Sequence, residues 1–294
     1  MKQLISFEST KLIITVPLST IWIAKPMLNR LYFKYLLALF TITSLSAQSQ
    51  SEFQKFFDEI GFRGSITIYD KKADKWIFSD TLDAKLELLP ASSSKIFNSL
   101  VFLEEGILKD ENEIVKWDGI KRWVDDWNQD LDLRRAFKFS AGWVYFSLAP
   151  KVGREKYLDY LDKCGYGNKF IGAHVDSFWI DGSLRISPIQ QVNFLRNLDA
   201  ETLPFSKRTF SIVKNIMIEK EDSTRIVRGK TGWGTVPGQD DTGWWVGYLT
   251  LKDNVVYFAT RLRKSDDGRD SAFFTSRRTV TAKILKYLGY GEIF

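Results

Sequence analysis

Three strand-like runs follow one another near the C-terminus, Thr224–Thr231, Thr242–Leu251 and Asn254–Arg263, and their counterparts lie far away at the other end of the chain. There Gly64–Tyr69 alternates Ile66 and Ile68, and Lys75-Trp-Ile-Phe follows it as a hairpin partner across Asp70–Asp74. A sheet assembled from both chain ends must accommodate whatever lies between, and residues 92–220 read as mostly helical. One helix start there is sharply marked, because Ser187-Pro-Ile-Gln190 supplies a capping serine, a proline in the first turn and a glutamine at the third position. Helical spacing also covers Ser51–Ile60 and about Ser276–Leu288. The expected fold class is therefore α+β: an antiparallel sheet built from both ends, flanked by helices, with a mainly helical region packed against it. With 294 residues, 44% of them apolar, the chain can bury a large core. No fixed-period repeat or Pro/Gly/Ser linker interrupts residues 48–294, which we read as one catalytic unit.

The first 47 residues stand apart. From Met27 a basic stretch leads into the apolar run Tyr35–Leu45 and then Ser46-Ala47, the pattern of a signal peptide over 27–47. Translation is expected to start at Met27, with 1–26 an over-long start; the competing reading is one uncleaved anchor over 1–47. The total charge of +6 is concentrated in this leader, where Lys2, Lys11, Lys25, Arg30 and Lys34 face Glu8, so residues 48–294 carry +2. A body so close to neutral argues against a nucleic-acid partner. The expectation is a secreted, periplasmic protein with no stable membrane association after cleavage, either monomer or homodimer. With one histidine, His174, and one cysteine, Cys164, the chain cannot build a His/Cys metal cluster or an internal disulfide, and a nucleophilic enzyme made from it needs a base other than histidine.

Such a base is offered by Pro90-Ala-Ser92-Ser-Ser-Lys95, which precedes the apolar helical stretch from Ile96 to Leu103. Ser92 falls at or just inside a helix N-terminus and Lys95 follows one turn later on the same face. A serine hydroxyl becomes nucleophilic when a neighbour takes its proton, and a partly buried lysine can be that neighbour. A serine there serves equally well as a simple cap, and Ser211-Ile-Val-Lys214 repeats the spacing in a helix-like stretch with nothing else around it. A second element is Arg228-Gly-Lys230-Thr231-Gly232-Trp233-Gly234, whose cation, hydroxyl and glycines suit a carboxylate held beside a strand. The two elements together are specific where each by itself is not.

With these residues in view, the chain resembles class D, oxacillinase-type, serine β-lactamases. The likeness extends through Trp117-Asp-Gly, Trp127-Asn-x-Asp, Lys138-Phe-Ser140, Tyr166-Gly-Asn168, Phe178-Trp179, Leu184-Arg-Ile-Ser-Pro and Gly243-Trp-Trp-Val-Gly247. It implies a serine β-lactamase/transpeptidase-like fold, β-lactams as substrates, Ser92 as the acylated serine, and Lys95 as the base. In that family the lysine carries a CO2-derived carbamate, which Trp179 would hold; no other cofactor is implied. Ser140 would relay protons to the leaving nitrogen. Lys230, Thr231 and Gly232 would face the substrate carboxylate together with Arg277, or its neighbour Arg278. The backbone N–H groups of Ser92 and Trp233 would form the oxyanion hole.

Two positions depart from the family pattern. Gly142 stands where Ser-x-Val is usual, which is expected to open the lysine pocket to water, and Ser94 replaces the aromatic before Lys95. The rival functions are a penicillin-sensing domain, a D,D-transpeptidase or carboxypeptidase that deacylates slowly, and a catalytically silent binding relative. Elsewhere the bland readings are preferred: His174 in a surface loop, Cys164 as a small buried residue, and Trp117, Trp123, Trp127, Trp244 and Trp245 chiefly in the core. Tyr145 is read as packing, with lining of the cleft as the alternative, Glu104 and Glu105 as a helix end, and 264–270 as a solvated loop.

Overall fold

The computed structural model describes residues 52–265 and 270–294. The expected signal peptide over 27–47, its expected cleavage point and most of the expected 264–270 loop lie outside the described residues. Helix α1 covers 52–60, followed by strands β1 (Arg63–Asp70) and β2 (Lys75–Phe78). A 3-10 turn over Ala91–Ser94 runs straight into α2 (Lys95–Glu104). The middle then holds the short pair β3 (Ile114–Val115) and β4 (Leu131–Asp132), α3 (Leu133–Lys138), α4 (Gly142–Val152), α5 (Arg154–Lys163), α6 (Pro188–Asp199) and α7 (Lys207–Ile216). The chain finishes with β5 (Ile218–Glu221), β6 (Arg225–Gly234), β7 (Asp241–Leu251), β8 (Asn254–Lys264) and α8 (Ser271–Tyr287).

Among the described residues the main sheet has six strands in the order β2-β1-β8-β7-β6-β5, all antiparallel. The chain ends meet where β1 pairs with β8, with Ile66 opposite Thr260. This is the α+β arrangement expected from the sequence. The sheet is covered on both faces, which explains why β7 and β8 read as near-continuous apolar runs rather than clean alternation. On one face Ile66, Ile68, Trp245 and Phe258 pack with Phe53 and Phe57 of α1 and with Phe273, Val280 and Ile284 of α8. On the other, Tyr69, Trp244, Val246 and Tyr257 pack with the helical region. Alternation survives as a choice of core: Trp244 faces one and Trp245 the other.

The marked helix start is present as a full capping box. Gln190 N–H donates to Ser187 Oγ (3.3 Å) and Ser187 N–H to Gln190 Oε1 (2.8 Å). Other boundaries differ. α8 begins five residues before the expected Ser276, because Asp270 accepts a hydrogen bond from Ala272 N–H (2.7 Å) and so caps it early. The stretch read as helical to residue 220 ends in β5, a four-residue strand that adds to the sheet edge and is too short for a period to show. Trp244 and Trp245 are fully buried, but Trp123 is 58% exposed, so its assignment to the core is corrected. Cys164 is buried at the end of α5 and burial pushes its thiol up to about 12. His174 is exposed in a loop. Glu104 accepts from Ser206, and Glu105 pairs with Lys156 while accepting from Tyr160, which makes both structural.

The segment between β2 and the 3-10 turn is fastened to the sheet by Arg261 of β8. This side chain is fully buried and donates to both carboxylate oxygens of Asp83 (3.1 and 2.6 Å) and to the carbonyls of Asp83 (2.9 Å) and Leu86 (2.8 Å). Its guanidinium also lies 5.0 Å over the Trp244 ring. Removing one partner of such a pair strands the other charge in the core. Asp83→Ala should therefore cost about 3–5 kcal/mol, measured by urea unfolding, whereas exposed-pair variants such as Lys163→Ala should cost under about 1 kcal/mol.

Candidate active site

The 3-10 turn presents three consecutive serines, and hydrogen bonding distinguishes them. Ser93 Oγ donates to Pro90 O (2.7 Å) while accepting from Gln191 Nε2 (2.8 Å). Ser94 Oγ donates to Ala91 O (2.7 Å). Ser92 Oγ accepts from Lys95 Nζ at 3.0 Å, the pairing expected from a three-residue spacing at a helix start. The turn is held in place by Ala91, whose φ of 49° lies in the left-handed region and whose N–H donates to Trp179 O (3.0 Å). A non-glycine residue there costs roughly 1–3 kcal/mol, so surrounding contacts must impose it.

Lys95 is buried, with 2% of its surface exposed, and its Nζ lies 4.7 Å over the Tyr145 ring. Tyr145 is itself fully buried and its hydroxyl shares a hydrogen bond with Ser99 (2.9 Å). Desolvation lowers Lys95 to about 7, so much of it is a neutral amine at physiological pH. Across the cavity Ser140 follows the end of α3 with φ 58°, and its Oγ accepts from Lys230 Nζ at 2.7 Å. Lys230 also donates to Thr231 O (3.0 Å) and lies over the Phe137 ring. Burial first, then the nearby charge of Lys95, push Lys230 well below the usual lysine range.

Strand β6 brings the Lys230-Thr-Gly segment hard against the serine turn. A β-carbon at Gly232 would lie 2.8 Å from Pro90 O, 2.9 Å from Ser93 N and 3.4 Å from Ser92 N, so a side chain at this position is excluded by backbone rather than by movable atoms. The next residue, Trp233, is anchored through its indole N–H to Asp241 (2.9 Å). Arg277 of α8 is 4% exposed, donates to Gly232 O and Phe274 O, and is lowered by burial to about 9. Arg278 points elsewhere, gripping both oxygens of Glu219 at 2.8 and 2.9 Å. Geometry thus separates the two arginines that the sequence left as alternatives.

Ser92, Lys95, Ser140, Trp179, Thr231, Gly232, Trp233 and Arg277 all line one cavity of about 440 Å³. Lys230 reaches that cavity through Ser140. Two residues of α4 matter here more than the sequence reading allows, which weighs Tyr145 as packing or cleft lining and Phe146 not at all. Tyr145 lies under the Lys95 amine instead of merely packing, and Phe146 lines the cavity beside Gly142. Both sit three or four residues after Gly142, on its side of α4, and that spacing was the available signal. Trp123 and Trp127 also contribute to the wall. Ser211, by contrast, lies on α7, and Lys214 pairs with Glu201 (2.7 Å), so the second Ser-x-x-Lys is a surface coincidence.

A nucleophile paired with a neutral buried amine, beside backbone N–H groups and clustered cations, is equipped for acyl transfer to an anionic substrate. Comparison with known proteins agrees. The family described as the penicillin binding protein transpeptidase domain matches residues 67–286. Beta-lactamase OXA-48 of Klebsiella pneumoniae is 36% identical over 239 residues, covering 81% of this chain and 88% of that protein. The class D β-lactamase structure from Sebaldella termitidis is 46% identical with a TM-score of 0.78, covering 81% and 96% of the two chains. The C-terminal domain of the Bacillus licheniformis BlaR penicillin receptor is 29% identical with a TM-score of 0.75, covering 81% and 94%.

Burying Lys95 has a pH-dependent cost. Its ordinary value of about 10.4 falls to about 7 on folding, so the unfolded chain binds a proton that the folded chain refuses between those limits. Stability is lost as pH falls from 10 toward 7 and levels off below. In CO2-free buffer, Lys95→Met should be more stable than wild type by roughly 4 kcal/mol at pH 7, with the gap closing toward pH 10. Urea unfolding at both pH values checks this, and a pH-independent gap would mean that Lys95 stays charged.

Proposed function

Since the chain belongs to the penicillin-binding transpeptidase family and, within it, is a class D serine β-lactamase, we propose that it opens the β-lactam amide through an ester on Ser92, with Lys95 in carbamylated form as the base. The observation that carries this reading is the 3.0 Å approach of Lys95 Nζ to Ser92 Oγ in a pocket that leaves the amine neutral near pH 7. A neutral amine is what reaction with CO2 requires, so the pocket suits the group. When carried by Lys95, the carbamate supplies a carboxylate base for both acylation and deacylation. Its place beside Trp179 is part of the proposal.

The chain's own residues account for the remaining chemistry. Ser92 Oγ attacks the lactam carbonyl as its proton leaves toward Lys95, forming the ester C–O bond. The negative oxygen then faces the N–H groups of Ser92 and Trp233, held by the close packing of Gly232 on the turn. Ser140 accepts a hydrogen bond from Lys230, which leaves its own O–H free to donate toward the departing lactam nitrogen as the C–N bond breaks. Thr231 and Arg277, with Lys230 behind them, meet the substrate carboxylate. That anion favours the charged form of the buried cations, so binding restores charge that burial had suppressed. Water then hydrolyses the ester and Ser92 regains its proton.

A second reading, in which Ser92 is acylated and stays so, is supported by the likeness to the BlaR penicillin receptor domain. Deacylation separates the two. We further propose that the enzyme acts in the periplasm after loss of residues 27–47; among the described residues no helix is long and apolar enough to cross a membrane.

Turnover of a chromogenic cephalosporin with and without bicarbonate, combined with intact-mass analysis, tests these readings. Sustained hydrolysis raised by bicarbonate is the expected result, with Ser92→Ala losing both turnover and the covalent adduct. Lys95→Ala should lose turnover while retaining slow acylation, and Trp179→Ala should need more bicarbonate. A stoichiometric mass gain without turnover would support the receptor-like reading instead.

A further inference from the structure

Gly142 faces the cleft at the position where the family pattern has a valine, and a bare glycine there should leave Lys95 open to water. The space is filled from another residue. Phe146, one turn further along α4, lays its ring across Gly142, so that a β-carbon on residue 142 would lie 3.1 Å from Phe146 Cε2 and 3.4 Å from Cζ. Long side chains in a helix lean back over the preceding turn, and residues four apart share a face, so a missing side chain at 142 is what lets the ring at 146 lie down. The same ring stacks on Trp179, with centroids 5.8 Å apart and planes 18° apart. Trp179 is buried and meets the edge of Phe178 at 5.0 Å, whereas Phe146 is 36% exposed. Phe146 is thus the outer leaf of an aromatic stack whose inner leaf is Trp179. Gly142, Phe146, Trp179, Lys95 and Ser92 all line the one cavity.

We propose that Phe146 is the gate of this site: its ring, seated in the room that Gly142 leaves vacant, screens Lys95 from cleft water and so sets how firmly the lysine holds CO2. The inference rests on the carbamylated-lysine reading above. In the forward reaction the neutral amine and CO2 form an N–C bond and release one proton. The reverse needs that proton returned to nitrogen, and water in the pocket delivers it. Screening slows that return and, by keeping the amine dry and unprotonated, also leaves it free to combine with CO2 in competition with protons, so bicarbonate is held more firmly. A ring 36% exposed and held by stacking and one tight contact can still move to admit the single water that deacylation consumes. Phe146 is a positioning residue on this account, because it acts through Lys95 and the water near it.

The test is titration of the purified protein with 13C-bicarbonate, reading the lysine carbamate resonance directly, alongside turnover. Phe146→Ala should weaken bicarbonate affinity by about tenfold or more, a loss of roughly 1.4 kcal/mol. Gly142→Val added to Phe146→Ala should recover most of that loss by refilling the same space from the other position. Phe146→Leu, which keeps apolar bulk, should stay near wild type and guards against a fold defect in the alanine variant. Wild-type affinity in Phe146→Ala, or a loss that valine at 142 does not reverse, overturns the gate. A wild-type protein with no carbamate resonance at any bicarbonate concentration instead overturns the underlying carbamate reading, and the gate with it.

Discussion

The backbone-to-backbone approach of β6 to the serine turn is the constraint on which the rest of the molecule turns. At Gly232 the strand comes so near Pro90 O and Ser93 N that no β-carbon fits. This contact joins two pieces far apart in the sequence, the Ser92 turn from the first third of the chain and a cation-bearing strand from its last quarter. Everything that must converge on one substrate is brought within reach there. The ring of interactions behind it serves the same end: Arg261 and Asp83 fix the segment leading into the turn, Asp241 anchors Trp233, and Arg277 donates to the Gly232 carbonyl from the far side. Ala91 and Ser140, two non-glycine residues with positive φ, lie at the two turns that carry the Ser92 and Ser140 hydroxyls, where the surrounding contacts hold a conformation the chain would not choose unaided.

Stability is given up inside the cavity for chemistry. Two buried lysines close enough for the charge of one to disfavour that of the other have both lost water, which is a poor way to build a core. It is a direct way to obtain an amine that is not permanently protonated. The aromatic surroundings of Lys95, with Tyr145 beneath it and Trp179 and Phe146 in the cavity wall, lower the local dielectric that makes this possible.

Much of the fold was legible because it rests on local signals that the structure preserves. The capping box at Ser187 and the strand runs at both ends are examples, and Ser-x-x-Lys with Lys-Thr-Gly marked the site. What stayed hidden was decided by side-chain contacts, some local and some tertiary, that residue types alone do not display. Gly142 looked like an opening because a single position cannot show that a ring four residues later covers it. Arg277 and Arg278 were indistinguishable as neighbours, and only Glu219, arriving from β5, claims the second of them. Trp123 looked like core on composition, yet it stands at the rim, where aromatic residues meet ligands as readily as they fill interiors. The first boundary of α8 moved for a local reason, a cap supplied by Asp270 that no apolar period reveals.

The pairing of β1 with β8 also governs when the fold can form. Ile66 finds Thr260 only after nearly the whole chain exists, and until then β1 and β2 are an isolated hairpin, too small to hold in water. Closing so long a loop is slow, so β1 and β2 join the sheet only once β8 has been made, whereas β6, β7 and β8 pair in sequence. A chain cut short before β6 lacks the strand that closes against the Ser92 turn, so the serine turn and the Lys230 segment can meet only once both have been made.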